Sequence, residues 1–207
     1  MTDPPTIVVL ARDVRRAKSR LRARLAPAQR ERLALAMFDD VVAAARSTRW
    51  PVLVVTDSAP LAARARAAGA RAMRSPARGT RAGARAGVRT AERDGTTAVL
   101  ILASDVPLVR AAELRRIAAA GARSAVVIVP DRSRVGTNAL YLRPPSRIAP
   151  RFGRDSFAAH RAAAGAQGRT LTVAGLALDV DTPDDLDALR RSRRKAGPRT
   201  RAVLGSA

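Results

Sequence analysis

Cysteine is absent from this chain of 207 residues, which excludes disulfides, zinc–thiolate centres and thiol nucleophiles. Histidine occurs once, as His160, and no Ser-His-Asp order, His-Glu-x-x-His motif or complete Walker loop is present. Aromatic residues make up only 2%, so Ala, Val and Leu must fill the interior. No apolar run reaches the roughly 18 residues a membrane-spanning helix needs. Met1 to Pro5 shows neither the basic region nor the apolar stretch of a signal peptide. These absences lead to the expectation of a soluble, cytoplasmic protein without membrane partners.

Lysine is nearly missing too: Lys18 and Lys195 are the only two, and arginine supplies the rest of a formal net charge of +22. Such a charge invites binding to nucleic acid through counterion release. The sparse aromatics, however, do not interleave with the arginines as stacking platforms for single strands would. An arginine- and alanine-rich, lysine-poor composition is also what a GC-rich genome writes at solvated positions. A small anionic substrate accounts equally well for the positive potential, because basic clefts steer anions.

Short apolar runs alternate with longer stretches of helical period, which predicts a single-domain, three-layer α/β fold with a mostly parallel sheet. Strands are expected at Thr6–Leu10, Pro51–Thr56, near Ala72, and at Ala98–Leu102 and Ala125–Val129. Further extended segments are expected at Thr137–Leu142, Leu171–Val173 and Leu178–Val180. Helices are expected at Pro27–Arg46, in an alanine-rich stretch ending near Gly69, and between the glycine-rich Gly79–Gly87 and Gly95. Others are expected at Ala111–Ala120, Phe157–Ala164 and Pro183–Arg191. The domain is placed at residues 1–190, and the basic, Pro/Gly-broken residues 191–207 are expected to form a disordered tail.

Ligands in open α/β sheets gather beyond the carboxyl ends of the strands, and Asp105 follows the Ala98–Leu102 run directly. A carboxylate there can hold Mg2+, a hard cation that bridges to substrate phosphates, or can shape a proline-containing turn. In Asp179-Val180-Asp181 an extended backbone sends both carboxylates to one side, where a cation would offset their repulsion. Thr182, Pro183, Asp184 and Asp185 read as a helix start, with the two aspartates as capping residues. Gly136-Thr137-Asn138 reads as an anion cradle or a hairpin turn. Phe152-Gly153-Arg154-Asp155-Ser156 reads as a helix-terminal anion site or a serine cap. The arginines between Arg12 and Arg24 form a solvated face, a subset of which can bind phosphate. His160, between alanines in a helix, reads as structural.

Ala17-Lys18-Ser19-Arg20-Leu21, Ser104-Asp105-Val106-Pro107-Leu108, Pro130-Asp131-Arg132, Gly136-Thr137-Asn138-Ala139-Leu140, Phe152-Gly153-Arg154-Asp155-Ser156-Phe157 with His160, and the run Asp179 to Leu186 occur in this order. Together they resemble the 2-phospholactate/phosphoenolpyruvate guanylyltransferases of coenzyme F-420 biosynthesis, over about residues 6–189. The resemblance implies a nucleotide-diphospho-sugar-transferase-like (Rossmann-like) fold. It implies transfer of GMP from GTP to phosphoenolpyruvate or 2-phospholactate with release of pyrophosphate. By the same resemblance Asp105, Asp179 and Asp181 hold Mg2+, with Lys18 and Asp105 catalytic. Arg12, Lys18 and Gly79 meet the nucleotide, and Thr137, Gly153 and Ser156 receive the acceptor. A downstream transferase would collect the labile product. The chain departs from the family at Arg12, usually a lysine, and in Gly79-Thr80-Arg81-Ala82-Gly83, where a Leu-Asn segment is usual. Phosphoenolpyruvate is preferred as acceptor on the GC-rich composition. The alternatives are a related nucleotidyltransferase with another nucleotide or acceptor, and a non-catalytic relative that binds nucleic acid through its basic surface.

Overall fold

Seven strands share one sheet in the computed structural model, which describes residues 3–12, 18–75 and 79–205. They are β1 (Thr6–Ala11), β2 (Val52–Thr56), β3 (Arg71–Arg74), β4 (Val99–Ala103), β5 (Val126–Pro130), β6 (Thr137–Leu142) and β7 (Gly168–Thr170). Their order across the sheet is β3-β2-β1-β4-β6-β5-β7. β6 runs antiparallel to both β4 and β5, and every other neighbouring pair is parallel. The sheet is therefore mostly parallel, as the alternating pattern predicts.

Both faces are covered, which explains why the central strands are apolar throughout. Ile7 and Val9 of β1 pack with Phe38 and Val41 of α1 (Pro27–Arg46), Leu61 of α2 (Ala59–Ala67) and Ile117 of α4 (Ala111–Gly121). The intervening Val8 and Leu10 face the other way, onto Ala84 and Val88 of α3 (Thr80–Arg93) and Phe157 of α5 (Ser156–Ala164). The glycine-rich stretch expected to precede α3 lies inside it. At Gly87 an added Cβ would stand 2.5 Å from Val8 Cγ1, so glycine lets this helix lie directly on β1.

A third, smaller core joins Leu21, Leu33, Met37, Leu108, Leu178, Val180, Leu186 and Leu189. It fastens a 3-10 turn (Ser19–Ala23) and α6 (Pro183–Arg191) against the N-terminal end of α1. Residues 171–173 and 178–180 are not strands, contrary to their apolar pattern; the edge strand is β7, just before them. Val173 and Leu176 are buried, but a turn closed by Leu176 N–H donating to Val173 O takes the backbone off the sheet edge.

The disordered tail expected after residue 190 is corrected by the structure through residue 205. α7 (Pro198–Gly205) packs along α1, and the buried Asp40 carboxylate accepts from the backbone N–H groups of Arg199 and Thr200 at 3.2 and 2.8 Å. A cap supplied by a distant helix carries no local sequence signal. Arg15 and Arg16 of the N-terminal basic loop, and the last two residues of the tail, lie outside the described residues. Among the described residues no helix is long and apolar enough to cross a membrane.

Candidate active site

The acidic residues are brought together by packing rather than by a shared element. β4 ends at Ala103, and the backbone O of Asp105 two residues later accepts from Val180 N–H at 3.2 Å. Leu178 and Val180 sink into the third core, so the alternation leaves Asp179 and Asp181 on the cleft side. Asp185 then closes the segment. It accepts from the N–H groups of Asp181 and Thr182 at 3.1 and 2.8 Å, while Thr182 Oγ1 caps α6. Asp185 therefore caps, as its position in a helix start predicts.

Lys18 stands between two of these carboxylates. Its Nζ donates to Asp105 Oδ2 at 2.6 Å and to Asp181 Oδ1 at 2.7 Å, with only 8% of the residue exposed. Burial works to lower the lysine pKa, but the two carboxylates outweigh it and hold the ammonium charged, above its ordinary value. Burial likewise works to raise Asp181, yet Lys18, with Arg12 and Arg20, holds it below the usual carboxylate range. Among the described residues Asp179 has no such partner. Burial and the charge of Asp105 push it up to about 6, against a hydrogen bond from Asn138 Nδ2 at 3.1 Å.

The opposite corner presents Thr137, Gly153 and Ser156, which carry no formal charge. Asp131 accepts from the N–H groups of Val135 and Gly136 at 3.0 and 2.8 Å, which folds the loop that delivers Thr137 to the start of β6. Phe157 N–H donates to Val135 O at 3.0 Å and ties the first turn of α5 to the same loop. Gly153 has φ 126°, a conformation that a side chain resists, and Ser156 is buried at the first position of α5. His160, fully buried, joins these pieces. It lies 3.0 Å from Thr137 Oγ1 through Nδ1, accepts from Arg151 N–H at 2.8 Å through Nε2, and packs edge-on against Phe152. Burial, reinforced by Arg151 and Arg81, lowers its pKa to about 4, so the ring is neutral at physiological pH.

One cavity of about 1000 Å³ is lined by Arg12, Lys18, Asp105, Thr137, Gly153, Ser156, Asp179 and Asp181 together. Gly79 lines a smaller adjoining cavity of about 40 Å³, which shares Leu10, Arg12 and Thr80 with the large one. Arg20, Thr80, Arg132 and Asn138 also line the large cavity, although the sequence pattern assigns them no individual role. Arg132 points to the site only through the fold, in its 2.6 Å pair with Asp185. Among the described residues no group of three acidic, histidine or cysteine side chains is gathered tightly enough to hold a metal unaided.

The chain matches a family model described as guanylyl transferase CofC like over residues 6–191. It is 42% identical over 178 residues to a phosphoenolpyruvate guanylyltransferase of Sphaerobacter thermophilus, spanning 84% of this chain and 86% of that one. A protein of the same name from Conexibacter woesei is 41% identical over 199 residues, covering 91% and 89%. Among solved structures, a putative nucleotide-diphospho-sugar transferase from Desulfovibrio desulfuricans superposes with a TM-score of 0.77 at 16% identity, covering 98% and 94%. Rv0371C of Mycobacterium tuberculosis, solved with manganese, superposes with a TM-score of 0.57 at 23% identity, covering 90% and 98%.

Proposed function

The chain belongs to the CofC-like guanylyl transferase family, and from that premise we propose that it joins GMP from GTP to phosphoenolpyruvate with release of pyrophosphate. The single observation that carries this reading is the shared cavity. It has an end where Lys18, Arg12 and the aspartates suit a triphosphate and an end where Thr137, Gly153 and Ser156 offer hydrogen-bond donors, and its volume lies in the range of small-ligand sites. The acceptor is a small acid bearing a phosphate, with phosphoenolpyruvate preferred over 2-phospholactate on the names of the relatives. The reaction belongs to biosynthesis of coenzyme F-420, in the cytoplasm, where a downstream transferase takes up the labile product.

The acidic corner fits a divalent cation. Asp105 and Asp181 already converge on one positive charge, that of Lys18, and Asp179, its pKa raised by burial and by the charge of Asp105, faces the same cleft. Asp105, Asp179 and Asp181 would hold Mg2+ together with oxygen atoms of the substrate phosphate and water. When bound, the ion supplies Lewis-acid stabilisation of charge on the triphosphate.

The remaining chemistry belongs to the chain. Lys18, fully charged, offsets negative charge as pyrophosphate departs. Arg12 and Arg20 add positive potential along the same wall, and Gly79 at the start of α3 leaves open backbone for the nucleoside end. Thr137, Gly153 and Ser156 orient the acceptor through a hydroxyl and backbone amides at the start of α5. The acceptor's phosphate oxygen forms a bond to the α-phosphorus in line as the bond to the bridging α–β oxygen breaks. A phosphate dianion is already a competent nucleophile at neutral pH, so no side chain has to remove a proton.

The reading is tested by pyrophosphate release with Mg2+ present, crossing GTP, ATP, CTP and UTP with phosphoenolpyruvate, 2-phospholactate and 3-phosphoglycerate. A downstream transferase and its deazaflavin acceptor are included to trap product. Turnover with GTP and phosphoenolpyruvate is expected, and Asp105→Asn should reduce it by at least about 10³-fold in folded protein. Silence of wild-type protein across the whole grid would sink the enzyme reading. Binding that ignores Asp105→Asn and collapses with added salt would point to nucleic acid instead.

A further inference from the structure

His160 is buried beside the acceptor end of the cavity, yet no step of the transfer uses it. Its two ring nitrogens have different partners, and one of them settles the roles of both. The backbone N–H of Arg151 can only donate, so Nε2 of His160 accepts and carries no proton. A neutral imidazole has one N–H, which therefore sits on Nδ1 and donates to Thr137 Oγ1, 3.0 Å away. Protonating the ring would turn Nε2 into a donor facing another donor. Burial and the nearby Arg151 and Arg81 charges oppose the same event.

The consequence falls on Thr137. A threonine hydroxyl can present either its hydrogen or a lone pair to a ligand. Here one lone pair is engaged by the histidine, and among the described residues no protein acceptor takes the hydroxyl hydrogen. Thr137 is largely buried and lines the large cavity. We propose that His160 is a positioning residue whose Nδ1–H fixes Thr137 as a hydrogen-bond donor to an anionic oxygen of the acceptor. The same ring, through Arg151 N–H and the Phe152 ring, holds the segment that leads into Gly153. The donors on β6 and ahead of α5 are thus set relative to one another by one side chain. The inference rests on the acceptor-binding role given to Thr137 and Gly153 above.

His160 is the only histidine, so its ring nitrogens can be read without assignment in ¹⁵N NMR spectra of the uniformly labelled full chain. The expected result is the Nδ1–H tautomer, unprotonated down to pH 5.5; an Nε2–H tautomer, or a ring already charged at pH 6.5, overturns the proposal. Kinetics supply the second arm, with Thr137→Val and His160→Phe each expected to raise the KM for phosphoenolpyruvate about tenfold or more. The KM for GTP should stay within about twofold in both. The double variant should be no worse than the poorer single one, because both remove the same donor. Losses that multiply, or that fall equally on GTP, overturn the proposal.

His160→Asn offers an amide donor at the position of Nδ1 and guards against a folding defect in His160→Phe. Partial recovery of the acceptor KM supports the donor argument, and an equal loss in folded protein overturns it. Wild-type protein that turns over no phosphorylated acid defeats the functional reading alone, since the nitrogen spectrum still decides the direction of the His160–Thr137 bond.

Discussion

The two ends of the large cavity are built by opposite means. At one end Lys18 bridges Asp105 and Asp181, and opposite charge holds Lys18 and Asp181 ionised. At the other, Thr137, Gly153, Ser156 and neutral His160 carry no formal charge and act by direction, through hydrogen bonds that packing has aimed. A charged corner tolerates small displacements, because Coulomb interactions fall slowly with distance, but it responds to ions and pH. A neutral corner is insensitive to salt and intolerant of misplacement, because hydrogen bonds weaken steeply with angle. The difference suits a reaction in which one substrate brings a flexible polyphosphate and the other a small rigid acid.

Lys18→Met removes the charge on which Asp105 and Asp181 converge. Activity should fall by about 10² to 10³-fold, the scale for losing one electrostatic contact to a transition state. Stability should drop by only about 1–3 kcal/mol, because Asp181 is 46% exposed and water partly compensates. Divalent ion should restore part of that stability in Lys18→Met but little in the wild type, which a thermal melt with and without Mg2+ would read.

The pH response of metal-free protein sharpens the comparison. Folding lowers the pKa of His160 from 6.5 to about 4, so on acidification the unfolded chain takes up that proton first and stability is lost between these values. Folding raises Asp179 from 3.8 to about 6, so there the folded chain takes up the proton first and stability is gained over nearly the same window. The two contributions oppose each other in the wild type. Asp179→Asn removes the second and should leave the protein about 2 kcal/mol less stable at pH 4.5 than at pH 7, relative to wild type. Urea denaturation in the presence of a chelator would measure it, and an unchanged pH profile would contradict the paired assignment.

Gly153→Ala has the smallest expected effect and falls on the neutral end alone. At φ 126° a methyl group costs about 1–2 kcal/mol in backbone strain, although space for the methyl is open. The KM for the acceptor should rise about tenfold with that for GTP nearly unchanged. A larger effect on GTP would place the glycine at the other substrate.

Legibility in the sequence followed the range of the interactions. α1 is visible to the residue because Pro27 starts it and its apolar stripe repeats along 20 residues. The buried strands are visible because both of their faces are apolar. α3 is obscured by Gly83 and Gly87, whose composition signals a loop but whose bare backbone serves contact with the sheet. In the site, Asp105, Asp179 and Asp181 stand out as carboxylates at strand ends and in an alternating run. That Lys18 would join Asp105 to Asp181 is not legible, because those pairs span 87 and 163 residues. The role of His160 is equally hidden, since both of its partners lie outside its own helix.

The anchoring of α7 to Asp40 separates two notions of where this protein stops. Every side chain assigned to catalysis precedes Arg191, where the family match also ends, so the proposed chemistry is contained in the residues before that point. Cooperative folding is not: a chain terminated there would leave a buried carboxylate on α1 without the two amides that solvate it. Removing residues 192–207 should therefore shorten the lifetime of the native state while leaving every proposed site residue in the chain.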